Sequence, residues 1–72
     1  MLAAYTKDRL HGVEIMMIDS GETYFVSAVQ AGNGYTSNFD YWFTVGFYKS
    51  LKMAQKKAVA ALAKHGYEIS FE

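Results

Sequence analysis

The hydrophobic positions of this chain fall into four short runs and one helical stripe. From Val13 to Asp19 the sequence Val-Glu-Ile-Met-Met-Ile-Asp opens in alternation, placing Val13, Ile15 and Met17 on one face of a strand. Asp19-Ser20-Gly21-Glu22 is a turn signal in which the glycine can supply a positive φ. Thr23 to Gln30 is a second run, rich in β-branched and aromatic residues, so the two runs predict a β-hairpin. Ala31 to Phe39, with Gly32, Asn33 and Gly34, predicts a long loop. Asp40 to Tyr48 predicts the strongest strand: strict alternation puts Tyr41, Phe43, Val45 and Phe47 on one face and Trp42, Thr44 and Tyr48 on the other.

After Tyr48 the period lengthens. Ser50 is an N-cap residue, and Leu51, Ala54, Ala58, Ala61, Leu62 and His65 recur at three- and four-residue spacing, the apolar stripe of a helix running to about Lys64. Gly66 stands where a left-handed residue ends a helix. Tyr67, Ile69 and Phe71 then alternate with Glu68 and Ser70, predicting a short last strand. Residues 1–12 fit a short strand or an irregular lead-in.

These elements predict one α+β domain over residues 1–72: a small two-layer fold, mainly antiparallel sheet, in the order β-β-β-α-β with one amphipathic helix packed on one face. A right-handed crossover through the helix would return the last strand to the sheet in the spatial order 4-1-2-3. One helix covers only one sheet face, yet the other face, read by alternation, carries Met16, Ile18, Phe25, Val29, Trp42 and Tyr48. An antiparallel sheet that faces water alternates more cleanly than this, so the second face is expected to meet the N-terminal segment, a second copy or a partner protein.

Composition sharpens that expectation. Six Tyr, five Phe and one Trp make 17% of the chain, and aromatic residues concentrate at interfaces because they bring large rigid area at low entropic cost. A core of this size supplies roughly 3–5 kcal/mol and small domains often add a disulfide, a metal or a partner; with no cysteine, disulfides and thiolate metal sites are excluded. No apolar stretch reaches the length of a bilayer span, and the opening residues lack the pattern of a secretory signal, so a soluble, cytoplasmic protein without membrane contact is the expectation.

Candidate chemistry is sparse. His11 and His65 lie in no metal-ligand spacing, and neither histidine stands beside a paired-acid motif; His11 reads as a solvated loop residue and His65 as a helix C-terminal residue favourable to the dipole. None of Ser20, Ser27, Ser37, Ser50 or Ser70 stands in a nucleophile context, and Gly32-Asn33-Gly34 is followed by no phosphate-binding Lys-Ser/Thr. The expectation is a protein that is not an enzyme, with no catalytic residue, no metal and no cofactor.

Charge changes the picture once more. The seven basic and seven acidic residues cancel, but five of the basic ones, Lys49, Lys52, Lys56, Lys57 and Lys64, fall between residues 49 and 64 with no acid among them. On a helix, Lys52, Lys56, Lys57 and Lys64 lie away from the apolar stripe, a patch suited to phosphate or to an acidic protein surface. The stretch Ser50-Leu51-Lys52-Met53-Ala54-Gln55-Lys56-Lys57-Ala58-Val59-Ala60-Ala61-Leu62 resembles the last helix of double-stranded-RNA-binding domains, whose lysine-rich start touches phosphates, although Leu51 and Gln55 stand where that family prefers lysines. Three strands and a helix also look like the arm-binding domains of phage-type integrases, whose sheets carry the basic residues that strands 13–48 lack here.

Two functions follow as expectations. The first is a small interaction module that docks on a partner protein or on itself, with Tyr24, Phe25, Tyr35, Phe39, Trp42 and Tyr48 at the contact. By analogy of size and style, such compact domains are common among phage and mobile-element products that inhibit host enzymes or defence proteins. The second is nucleic-acid binding through the lysine-rich helix.

Overall fold

A computed structural model describes residues 1–32 and 39–71. Four strands, β1 (Leu2–Tyr5), β2 (His11–Ile18), β3 (Thr23–Ala31) and β4 (Phe39–Tyr48), form one antiparallel sheet in the order β1-β2-β3-β4, followed by helix α1 (Leu51–Lys64) packed on one face. The two-layer α+β fold is as the sequence predicts; its order, β-β-β-β-α, differs from the expected β-β-β-α-β at both ends.

The reason lies in the N-terminal segment. Thr6 N–H donates to the His11 carbonyl at 2.8 Å and Arg9 N–H to the Thr6 carbonyl at 2.9 Å, closing a tight turn in which Arg9 takes φ 60. One carboxylate oxygen of Asp8 accepts from the Thr6 hydroxyl at 2.6 Å and from Leu10 N–H at 3.0 Å, and these hydrogen bonds hold the Asp8 carboxyl below its ordinary pKa. A local antiparallel hairpin therefore occupies the free edge of β2, where the crossover strand would have had to pair. The segment Tyr67–Phe71 forms no strand. Its alternation survives as packing: Ile69 is buried in the core, Tyr67 and Phe71 pack half-buried against it, and Glu68 and Ser70 face outward.

The core lies between the sheet and α1. Val13, Ile15, Val26 and Ala28 of the inner strands meet Ala54, Ala58 and Leu62 of the helix, all of them essentially inaccessible. The small alanine side chains let α1 lie close over β3 and β4, with lighter contact to β2, and Ala4 of β1 and Ile69 belong to the same core. Both helix ends match their sequence signals. The Ser50 hydroxyl accepts from Met53 N–H at 3.1 Å. At the other end Gly66, at φ 85, donates to Ala63 while Tyr67 N–H reaches back to Leu62, the paired bonds of a Schellman motif.

Candidate docking surface

Strand register decides which side chains share the face away from α1. Because Val13 and Ile15 point into the core, their neighbours Gly12, Glu14, Met16 and Ile18 point away, and the partners of those residues across the sheet lie on the same side. Three rows result. One runs Tyr5, Gly12, Val29, Tyr41; the next runs Ala3, Glu14, Ser27, Thr44; the third joins Met16, Phe25 and Phe47. The outer rows are apolar ridges. Tyr5 stacks on Phe39 with ring centroids 4.5 Å apart, in the space that the missing side chain of Gly12 leaves, and Phe25 meets Phe47 at 5.0 Å. The middle row is short and polar. Glu14 is its only charged member, and Thr44 shares a 2.9 Å hydrogen bond with the Tyr41 hydroxyl.

No element among the described residues covers this face. Met16 is 48% exposed, Tyr41 59% and Phe47 60%, values far above those of the core. The chain thus presents a half-apolar sheet face about 14 Å across from β1 to β4 at ordinary strand spacing.

The sequence locates this face but misassigns part of its membership. Met16, Ile18, Phe25 and Val29 lie on it as expected, whereas Trp42 and Tyr48 face α1 and pack against the core. Register shifts between Val26 and Ser27 and between Ala28 and Val29 put one extra β4 residue at each site, so strict alternation fails twice within the strand. The result sets Trp42, Phe43 and Val45 all toward the helix and leaves Tyr41, Thr44 and Phe47 outside. Gly46 inside a strand is the sequence mark of such a bulge, whereas the face that Tyr41 and Phe47 share is set by their pairing with Val29 and Phe25 of β3.

Of the expected contact residues, Phe25 and Phe39 stand on the open face, with Phe39 against Tyr5. Tyr24 lies on the helix side with Trp42 and Tyr48, and Tyr35 lies outside the described residues.

Trp42 instead centres a half-buried aromatic cluster on the helix side of the sheet. His11, Phe43 and His65 approach its ring at 5.1, 4.9 and 4.8 Å, and Tyr67 stacks on His11 at 4.0 Å. His11 is therefore not a solvated loop residue: it starts β2 half-buried, with Nδ1 enclosed and without a hydrogen-bond partner among the described residues. His65 caps α1, at the C-terminal position expected for it. Among the described residues no three His, Asp or Glu side chains group as a metal site.

Lys52, Lys56, Lys57 and Lys64 are all exposed on α1, on the side of the molecule opposite the open face, while the Lys49 ammonium donates to Thr23 Oγ1 at 3.1 Å. Lys57 and Lys64 border a cleft of about 290 Å³ between α1 and β4, floored by Phe43 and Val45. No helix among the described residues is long and apolar enough to cross a membrane. Compared with known families, curated proteins and solved structures, the chain matches none.

Proposed function

We propose that this protein is a small non-enzymatic interaction module that docks on a partner protein through the open face of its sheet. The observation that carries the reading is the concentration of exposed Met16, Tyr41 and Phe47, with Phe25 beside them, on the one face that neither helix nor tail covers. Removing such a surface from water is favourable by about 25 cal/mol per Å² of apolar area before the costs of association. Rigid aromatic side chains on a hydrogen-bonded sheet lose little entropy when they dock. An inhibitor of a host protein would act by this same occupation of a surface.

The reading is tested by capture from extract of the source cell, using the full chain and a Tyr41→Ser/Phe47→Ser variant. Wild type is expected to retain a protein that the variant loses, while circular dichroism of the two agrees. Equal capture by both would place the contact elsewhere.

A second reading has its own observation: Lys52, Lys56, Lys57 and Lys64 stand exposed on α1 with no acid on the helix. Binding of nucleic acid there would weaken steeply with salt and be abolished by Lys52→Glu/Lys56→Glu; binding that ignores salt counts against it.

A further inference from the structure

The polar row in the middle of the open face bears on who the partner is. We propose that the face takes a partner-protein segment that sets an arginine or lysine between apolar side chains, with Glu14 as its counter-charge, and that the same carboxylate keeps the face from closing on a second copy. This inference rests on the docking reading above.

Glu14 is the single charged side chain in the three rows of the face, half-buried, and it sits between the two apolar ridges. The ridge positions on β2, Gly12 and Met16, are four residues apart, which is about 13 Å along a strand. A side chain that enters between the ridges leaves water as it approaches Glu14. Two copies packed face to face would carry two carboxylates into that dry layer with no cation in the middle row of either copy, since Arg9 lies over Tyr5 at the rim and Lys49 bonds Thr23, at a desolvation cost that hydroxyls alone do not offset. A partner cation reverses the sign: it forms a charge-assisted hydrogen bond with Glu14, strengthened by the loss of water. Ser27 and Thr44 add hydroxyl acceptors beside Glu14 in the same row, suited to the several donors of a guanidinium. The ridges meanwhile take the apolar neighbours of that cation. Arg9, the nearest basic residue of the turn, lies with its guanidinium carbon 5.1 Å from the centre of the Tyr5 ring, at the rim of the face.

The test uses a random displayed peptide library of about twelve residues, panned in parallel on the full-length wild type and on Glu14→Lys. Wild type is expected to enrich peptides with an arginine or lysine flanked by apolar residues, and these should bind Glu14→Gln about tenfold more weakly. Glu14→Lys is expected to enrich peptides with an acidic residue at the centre instead. Peptides that lose binding to Phe47→Ser yet contain no cation, or bind Glu14→Gln as tightly as wild type, overturn the charge rule and leave the docking face standing. Enrichment of nothing, or of peptides indifferent to Phe47→Ser, overturns the docking face and the inference with it. Light scattering completes the test: wild type should be a monomer and Glu14→Leu should self-associate, and a wild-type dimer that Phe47→Ser dissolves would contradict the proposal.

Discussion

Trp42 has acquired neighbours that its place in the sequence does not suggest. Two histidines, from positions 11 and 65, meet on its ring, and the residue serves the core rather than the exposed sheet. Trp42→Ala is accordingly expected to cost roughly 3 kcal/mol, most of the stability of a domain this small, and to appear as a sharply lower denaturation midpoint. Phe47→Ser, a change to a residue 60% exposed, should leave that midpoint nearly unmoved. Gly12 is a second discriminating residue. A Cβ there would collide with the Tyr5 ring and approach the Ala4 carbonyl oxygen to 2.6 Å, so Gly12→Ala is expected to destabilise by about 1–3 kcal/mol and to free Tyr5 from Phe39. Asp8 gives the pH signature. Its carboxyl pKa is lowered in the fold by the Thr6 and Leu10 hydrogen bonds, so its contribution is present above the ordinary carboxylate pKa and is lost as pH falls through the lowered one. Asp8→Asn should remove that part of the acid limb in a pH titration of stability.

At the scale of elements, legibility follows how local the determinants are. Helix α1 is readable to the residue at both ends because Ser50 and Gly66 act through bonds within one turn of chain. Ser50→Ala should therefore cost about 1 kcal/mol, measured by thermal melting. The hairpin of β2 and β3 was equally readable, though its turn uses positive φ at Asp19 and Ser20 as well as Gly21. What alternation could not supply was β4, since its two bulges turn Phe43 and Val45 toward the helix and only the pairing with β3 decides which face Tyr41 and Phe47 share. The last strand failed for a different reason. Ile69 needs only an apolar contact to be buried, and a period of two records that contact without showing whether the backbone pairs with a neighbour. Edge competition from the first hairpin decided it, and that contest involves residues more than fifty positions apart in the chain.

The whole molecule divides its labour between two surfaces. One face of the sheet builds the core with α1 and the tail from Tyr67 to Phe71; the other offers aromatic ridges around one carboxylate, while the lysines stand behind on the helix. The open face is legible in its excess of apolar residues, its exact membership is not, and Glu14 carries no signal of its own because one acid in an alternating strand looks like ordinary solvation. The most direct check is the affinity of the purified captured partner for wild type, Tyr41→Ser/Phe47→Ser and Lys52→Glu/Lys56→Glu, read by calorimetry at low and moderate salt. The aromatic double variant is expected to lose at least about a hundredfold, close to 2.7 kcal/mol, with the lysine variant near wild type. Tight binding by the aromatic variant, with loss confined to the lysine variant and to high salt, would contradict the open face as the docking surface.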